Sequence, residues 1–339
     1  RDHFDILEWS GNDGSQTISG LAFQPDLVWV KADRGGENHF LTDSVRGAGH
    51  RLQPNISGSE SDRSNEFTSF TSDGFTLNTT HNELNGGGVN FYAWCWKGGT
   101  SFSNSAGSNG ASIASSGKVN ADAGLSIVSY TGNATSGATV YHGLGSAPEY
   151  IWLKRRDGDN WIIYHHRSQA TNPQQYYYEG QNTDTRKGAS TNFMWANTRP
   201  ASNVFTLYSD GAVNNNGSNL IAYCWSEVKG FSKFGTYNGN SSTDGTYVHL
   251  GFRPALVIIK RSNSAASWVM HDRLRDGSNP DNDWFEQDLA QAGSNGGSGT
   301  VDFYANGFKL RDTTGYRNSG HTYIYMAWAD QPSKYSLAR

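Results

Sequence analysis

Three lysines recur at one distance from a shared motif, and their spacing is the first feature of this sequence that suggests chemistry. Lys31, Lys154 and Lys260 each lie six residues after a proline, and Arg155 and Arg261 directly follow two of them. Such cations predict a triplicated contact to an anion or a carboxylated sugar. Alternatively, they are sheet-edge lysines that extend to solvent, block edge pairing and pair with an acid. We expect this second, structural role.

An aspartate and an arginine three residues apart recur after the next predicted strand. The pairs are Asp43 with Arg46 and Asp272 with Arg275, whereas the middle copy reads His165-His166-Arg167. A catalytic pair should not vary this much between copies within one chain. We therefore predict an ion pair that fixes the exit of a strand and contributes little if it is exposed.

The remaining polar clusters lack the spacing of a metal site. Adjacent residues of a strand point to opposite faces, so His165 and His166 should not share one ion. The acidic loops 157–160 and 276–283 offer the oxygen ligands that calcium prefers, but without the twelve-residue calcium-loop pattern, and turn composition explains both. We predict no metal, no cofactor and no enzyme, since the nucleophile-elbow, phosphate-loop and metalloprotease motifs are missing. A carboxylate pair for glycoside cleavage needs only spatial proximity, so that alternative stays open.

Consecutive aromatic residues are the best candidates for ligand binding. An amide-rich loop is a further candidate. The candidate residues are Tyr176, Tyr177, Tyr178, Trp284, Phe285, Asn214 and Asn215. On a strand, consecutive residues place at least one ring outward, where it can stack on a sugar or anchor a protein. Burial against a neighbouring module is the alternative.

These residues belong to a sequence that is repeated three times. A Leu-x-x-x-Pro motif ends at Pro25, Pro148 and Pro254, and each copy opens with an aromatic residue near a Gly-Asn pair and closes on an apolar strand containing alanine. A period of roughly 110 residues is the size of a domain and too long for a solenoid turn. The proline suits the entrance of a strand, where the ladder loses no hydrogen bond.

The composition predicts an all-β chain of three tandem antiparallel β-sandwich modules, jelly-roll-like in form. Aromatic residues make up 13% of the chain and occur in short runs, which Gly, Asn, Ser and Asp separate. We place repeat one at 1–98, a Gly/Ser-rich linker at 99–121, repeat two at 122–230, repeat three at 231–332 and a C-terminal tail at 333–339. We expect the linker to be flexible, repeat one to be loosely attached, and repeats two and three to be docked. Asp73-Gly74 and Asn306-Gly307 predict hairpin turns with positive φ at the glycine.

Charge and hydropathy exclude two classes of partner. A net charge of −4 argues against a surface that follows nucleic-acid phosphates, and no apolar stretch is long enough to span a membrane. Cys95 and Cys224 occupy one position in two repeats, so we predict two separate buried thiols. The first residues lack a Met and a signal-peptide pattern, which suggests that an upstream part was removed.

Several of these motifs together resemble a repeated module of tailed-bacteriophage virion proteins, notably those of marine phages. They are Tyr-Thr-Gly-Asn, Leu-Gly-x-x-Pro, the Lys-Arg pair, Gly-Phe-x-Leu, the closing Ala-Tyr/Trp strand and the terminal Lys-Tyr-Ser-Leu-Ala-Arg. The resemblance covers essentially the whole chain. It implies a location, the extracellular virion in a tail fibre or tail spike, more than an activity. No binding or catalytic residue is established for that module.

This resemblance suggests a non-enzymatic virion protein that binds a host cell-surface glycan and contacts other virion proteins. A purely structural tail, baseplate or capsid-cementing role and a surface-polysaccharide depolymerase are the alternatives. Fibre-like proteins are often trimers, so we expect a homo-oligomer; three tandem copies could instead form a pseudo-threefold body within one chain.

Overall fold

The computed structural model describes residues 2–180, 183–188, 193–295 and 299–329. Within these ranges almost all regular structure is β-strand, and the ladders between strands are antiparallel. The all-β, antiparallel class is therefore confirmed. The predicted tail at 333–339 lies outside the described residues.

Repeat one contains nine strands in two sheets. They are β1 (Phe4–Ser10), β2 (Gly14–Ser19), β3 (Leu27–Ala32), β4 (Phe40–Asp43), β5 (Gly47–Leu52), β6 (Ser61–Asp62), β7 (Phe67–Thr71), β8 (Gly74–Thr79) and β9 (Asn90–Trp96). The large sheet has the order β1-β9-β3-β4-β5-β6, and the small sheet has the order β2-β8-β7.

The segment expected to be a flexible linker instead forms a hairpin of the next sheet. Strands β10 (Thr100–Asn104) and β11 (Ser115–Asn120) pair with each other, and β11 pairs with β12 (Leu125–Thr131) of repeat two. A Cβ on Gly117 of β11 would lie 1.9 Å from the carbonyl oxygen of Ile127. The small residue is therefore needed where two strands approach, and it does not mark a loose connector.

Repeat two has the same kind of large sheet, extended by this hairpin. After β12 come β13 (Ala138–Tyr141), β14 (Tyr150–Arg155), β15 (Ile162–His165), a 3-10 turn (Pro173–Gln175), β16 (Tyr176–Glu179), β17 (Lys187–Gly188), a helical turn α1 (Phe193–Ala196), β18 (Val204–Leu207), a second turn α2 (Gly211–Asn214) and β19 (Asn219–Trp225). The large sheet reads β10-β11-β12-β19-β14-β15-β16-β17, and β13 pairs with β18.

Repeat three returns to the arrangement of repeat one. Its strands are β20 (Ser232–Asn238), β21 (Tyr247–His249), β22 (Pro254–Arg261), β23 (Val269–Asp272), β24 (Asp283–Glu286), β25 (Ser294–Asn295), β26 (Val301–Tyr304), β27 (Gly307–Leu310) and β28 (Thr322–Ala329). The large sheet reads β20-β28-β22-β23-β24-β25 and the small sheet β21-β27-β26. In all three large sheets the closing strand (β9, β19 or β28) therefore lies between the strand that opens the repeat (β1, β12 or β20) and the third strand of that repeat (β3, β14 or β22).

The motif residues that recur in the sequence occupy matching positions in the three repeats. In the antiparallel ladder between the opening and the closing strand of each repeat, Trp9, Tyr130 and Tyr237 each belong to the second-last residue pair. The three motif prolines are buried at or just before the third strand of each large sheet, as predicted.

Two glycines differ from the expectation. Gly74 and Gly307 do not have positive φ. A Cβ on Gly74 would lie 1.9 Å from the carbonyl oxygen of Ile18, and one on Gly307 would lie 2.2 Å from that of Val248. These glycines allow the two strands of the small sheet to approach closely.

Three tryptophans at one position of the three closing strands meet in the centre of the molecule. The ring centroids of Trp96, Trp225 and Trp328 are 6.2, 5.5 and 5.9 Å apart in the three pairings, each near edge-to-face. One face of each large sheet contributes to this central core. The opposite faces in repeats one and two pack with their small sheets around separate cores, which contain Cys95 and Cys224 as free, buried thiols.

The repeats also contact one another in a closed ring. The loop after the third strand of one repeat bonds the loop after the fifth strand of another in all three combinations: Glu60 N donates to Arg156 O (2.7 Å), Ala266 N to Thr183 O (2.6 Å) and Gly36 N to Ala290 O (2.7 Å). Repeat one is therefore docked to both of the others. The expectation that it is loosely attached is wrong because its large sheet supplies one side of the central core.

Candidate functional site

The three recurring lysines do not lie at a sheet edge. Each is on the third strand, which pairs on both sides within its large sheet, and each is fully buried. Their ammonium groups donate to backbone carbonyls: Lys31 Nζ to Ala32 O (2.7 Å), Lys154 Nζ to Arg155 O (2.9 Å) and Lys260 Nζ to Thr183 O (3.1 Å). Lys154 and Lys260 also reach the preceding repeat, through the carbonyls of Ser57 and Thr183. The lysines therefore fasten the loops that join the repeats.

These lysines predict an unusual dependence of stability on alkaline pH. Burial lowers the pKa of each of them to about 8, although nearby carboxylates act in the opposite direction. An unfolded lysine has a pKa near 10.4. Between these values the unfolded chain binds more protons, so the free energy of unfolding should rise with pH, by up to about 1.4 kcal/mol per pH unit for each lysine. Below the folded pKa the lysines are charged in both states and contribute no slope.

Urea unfolding followed from about pH 7.5 to pH 9.5 tests this. Lys154→Met should remove one lysine's share of the slope, whereas Lys229→Met, at an exposed position, should leave the slope as it is. An identical slope in wild type and Lys154→Met would contradict the burial of a charged lysine.

The Asp–Arg pairs are buried, not exposed. Arg46 Nε lies 2.5 Å from Asp43 Oδ2, with both side chains inaccessible, and Arg275 Nε lies 2.9 Å from Asp272 Oδ2. In the first pair the network crosses between repeats, because Tyr223 OH donates to Asp43 Oδ2 (2.7 Å). Both aspartates bond backbone amides just after the fourth strand and so fix its exit, and the pair of repeat one also joins two repeats.

The two adjacent histidines bond different parts of repeat three. His165 Nε2 lies 3.3 Å from Tyr325 O, and His166 Nε2 donates to Phe234 O (2.7 Å). Burial lowers the pKa of both rings. Neither the histidines nor the acidic loops belong to a group of possible metal ligands in the ranges that the structure describes.

Two aspartates line a cavity of about 200 Å³ in repeat three, which bears on the glycosidase alternative. Asp272 is paired with Arg275. Asp281 Oδ2 lies 3.0 Å from His271 Nδ1, and burial raises the pKa of Asp281 to about 8. The cavity therefore offers one protonated acid, while the other carboxylate is held by a cation.

The predicted aromatic candidates are split between the interior and the surface. Tyr178 and Phe285 are buried where repeats meet: Tyr178 packs on Trp268 at 5.5 Å, and Phe285 contacts Tyr92 and Trp94 of repeat one. No ligand can stack on these two rings in this arrangement. The three others, Tyr176, Tyr177 and Trp284, are partly buried, and cations lie over the rings of Tyr176 and Trp284.

The two asparagine candidates have different surroundings. Asn214 is fully buried, accepts from Asn133 N (2.9 Å) and donates to Thr135 O (2.9 Å), so it holds the loop that follows the Gly-Asn motif. Asn85 and Asn318 do the same in the other repeats. Asn215 is exposed and donates to Ser218 Oγ. Asn214 is therefore structural and only Asn215 is accessible.

The most exposed aromatic residues of the described chain were not among the candidates predicted from the sequence. In the described chain these are Tyr247, Tyr304 and Tyr316, at 43%, 38% and 39% exposure, and all three belong to repeat three. Isolated tyrosines carry no motif. A comparison of the three small sheets by strand pairing singles out Tyr247. Its position on β21 is occupied by Thr17 on β2 and by Thr139 on β13.

Tyr247 and Tyr304 form a patch on the small sheet of repeat three, which we call the tyrosine patch. Their ring centroids are 6.0 Å apart with planes at 78°. Tyr247 OH donates to Asn306 Oδ1 (2.6 Å), Tyr304 OH donates to Asp302 Oδ2 (3.1 Å), and Arg311 Nη2 donates to Tyr304 OH (2.9 Å). The rings are therefore held in place by their hydroxyl groups.

Comparison with known proteins identifies a family and nothing more specific. A family model described as a domain of unknown function (DUF7483) matches residues 1–332. The chain belongs to this family. Neither the curated proteins nor the solved structures contain a match. The match spans all three repeats, so the family domain includes the whole ring of repeats described above.

No helix in the described ranges is long and apolar enough to cross a membrane.

Proposed function

We propose that this chain is a non-enzymatic extracellular virion protein that binds carbohydrate through the tyrosine patch of repeat three. Each repeat acts as one β-sandwich module with a large and a small sheet, and the three modules form a pseudo-threefold body. The virion location follows from the resemblance of the repeated motifs to phage tail-fibre and tail-spike modules. The binding role is supported by the tyrosine patch.

The chemistry of the patch suits a sugar ring. A pyranose presents an apolar C–H face, which packs on an aromatic ring, and hydroxyl groups, which bond charged and amide side chains. Around Tyr247 and Tyr304 lie Asn306, Asp302 and Arg311; Asn306 and Arg311 are partly exposed, whereas Asp302 is buried beneath them. Because these partners fix the ring orientations before binding, little side-chain entropy is lost when a ligand docks.

The other repeats provide an internal comparison. Where repeat three has Tyr247 and Tyr304, repeat one has Thr17 and Thr71 at the same register positions. Both residue types suit a strand surface, so folding does not require tyrosine there. An exposed aromatic side chain that folding does not require favours a binding role.

Replacing the two tyrosines with the threonines found in repeat one should remove binding and leave the fold intact. The double variant Tyr247→Thr/Tyr304→Thr should weaken binding to neutral oligosaccharides of glucose, galactose and N-acetylglucosamine by tenfold or more, about 1.4 kcal/mol or more. Surface plasmon resonance on the immobilised oligosaccharides measures this.

Tyr141→Thr is the matched control, because it removes a partly buried tyrosine from the corresponding strand of repeat two. It should bind as wild type does. If the double variant binds every sugar as tightly as wild type, or wild type binds none of them, the patch is not a glycan site and a purely structural role is favoured.

Incubation with bacterial surface polysaccharide separates binding from cleavage. We expect no release of reducing ends, since Asp272 is neutralised by Arg275 and a retaining or inverting mechanism needs two available carboxyl groups. Release that is lost in Asp281→Asn would establish the depolymerase alternative instead.

A further inference from the structure

We propose that a second cleft, at the junction of repeats two and three, binds the carboxylate of an acidic saccharide. This junction cleft has a volume of about 460 Å³ and is lined by Thr183, Arg261, Ala265, Ala266, Ser267 and Tyr316, with Gly315 beside them. The inference depends on the proposed glycan-binding role for its class of ligand. It concerns residues separate from the tyrosine patch.

The first observation is an arginine without a carboxylate partner. In repeat two, Arg155 ends the third strand and pairs with Asp157 (2.6 Å) and Asp159 (3.1 Å). In repeat three, Arg261 ends the equivalent strand, but the following residues are Ser262, Asn263 and Ser264. Its Nε donates only to Ser264 O (3.2 Å), and no ion pair of Arg261 occurs in the described ranges.

A second cation strengthens the positive potential at this point. Lys260 directly precedes Arg261, is fully buried, and donates to the carbonyl oxygens of Thr183 and Ala266, both of which line the cleft. The nearby Asp184 is paired with Lys187 (2.9 Å), and the carboxylate of Asp288 also acts on Lys260. A carboxylate that enters the cleft would therefore meet the unpaired guanidinium of Arg261, and a planar guanidinium can bond a carboxylate with two parallel hydrogen bonds.

The third observation explains why the ligand should be a sugar acid. Tyr316 is 39% exposed and lies in the same cleft as Arg261. A Cβ on Gly315 would lie 3.0 Å from Arg261 Nη1, so a larger residue would crowd the guanidinium. An aromatic face next to an unpaired arginine matches a uronic acid, which has a C–H face to stack and a carboxylate to pair. Inorganic phosphate would use the arginine alone.

Isothermal titration calorimetry with trisaccharides of galacturonic, glucuronic and mannuronic acid tests the cleft. At least one should bind wild type, and its methyl ester, which has the same shape without the charge, should bind at least tenfold more weakly. Arg261→Gln should weaken binding of the acid tenfold or more, and Tyr316→Thr should also weaken it. Arg155→Gln, which removes the paired arginine of repeat two, should have no effect.

The outcomes separate this inference from the proposed function. Tyr247→Thr/Tyr304→Thr should lose the neutral oligosaccharides and keep the acid, whereas Arg261→Gln should do the opposite. If Arg261→Gln binds the acid as wild type does, or the methyl ester binds equally well, the junction cleft is not an acid site, whatever the tyrosine patch binds. If inorganic phosphate competes as effectively as the trisaccharide, the cleft is an unspecific anion site and the sugar assignment is overturned.

Discussion

Trp328→Ala should destabilise all three repeats, with a loss of about 3–5 kcal/mol in the free energy of unfolding. Trp328 is 1% exposed, and its ring lies 5.5 Å from that of Trp96 and 5.9 Å from that of Trp225. Truncation removes these two contacts, as well as those to Phe4 and Phe234, and opens a cavity at the point where the three large sheets meet. Because Trp96 and Trp225 belong to repeats one and two, the damage should extend beyond repeat three.

The two buried cysteines report this effect repeat by repeat. Cys95 lies in repeat one and Cys224 in repeat two, both fully buried, and repeat three has Ala327 at the matching position. In Trp328→Ala, both thiols should react with a maleimide at lower urea concentrations than in wild type, although neither lies in the mutated repeat. Trp328→Phe, which keeps an aromatic ring, should shift the reaction less. Unchanged protection of Cys95 and Cys224 in the alanine variant would mean that the repeats unfold independently.

Arg46→Met should cost about 3–5 kcal/mol of stability, because it leaves Asp43 buried without a cation. The arginine side chain is inaccessible and bonds Asp43, Glu60 (2.9 Å) and the hydroxyl of Tyr223 (3.2 Å). Two of these partners belong to repeat one and the third to repeat two. The variant should therefore weaken the docking of the two repeats as well as the strand exit.

Chemical denaturation with two comparison variants checks the assignment. Arg63→Met removes an arginine whose side chain is 34% exposed and whose partner is Glu66, so its cost should stay below about 1 kcal/mol. Asp43→Asn combined with Arg46→Met should recover part of the loss, because the uncompensated charge is then gone. An Arg46→Met variant that unfolds at the wild-type denaturant concentration would show that the buried pair contributes nothing.

The repeated strands could be predicted from the sequence because their apolar runs and turn residues recur in register. The segment 99–121 could not, since its strands contain mostly Gly, Ser and Asn and lie at the outer side of a sheet, where little apolar surface is needed. Lys31 was expected at an edge because a charged residue ends an apolar run. In the fold it lies in an interior strand with backbone carbonyls as partners.

The candidate site was only partly predictable. Alternation along a strand indicated that one ring of each aromatic pair faces outward, but contacts between repeats cover the faces of β16 and β24 that hold Tyr178 and Phe285. Such contacts depend on how distant segments meet, which a local pattern does not contain. The tyrosine patch combines β21 with β26, and no sequence motif joins Tyr247 to Tyr304.

The closed ring of repeats within one polypeptide has an evolutionary consequence. In a homotrimer, every substitution appears three times around the axis, so a change that suits one interface must be tolerated by the other two. Here each third of the body is encoded separately and accumulates substitutions independently. That freedom accommodates the differences between the thirds: Arg261 is followed by Ser and Asn where Arg155 is followed by Asp157 and Asp159, and Tyr247 lies where the other two repeats have threonine, while the three central tryptophans are the same.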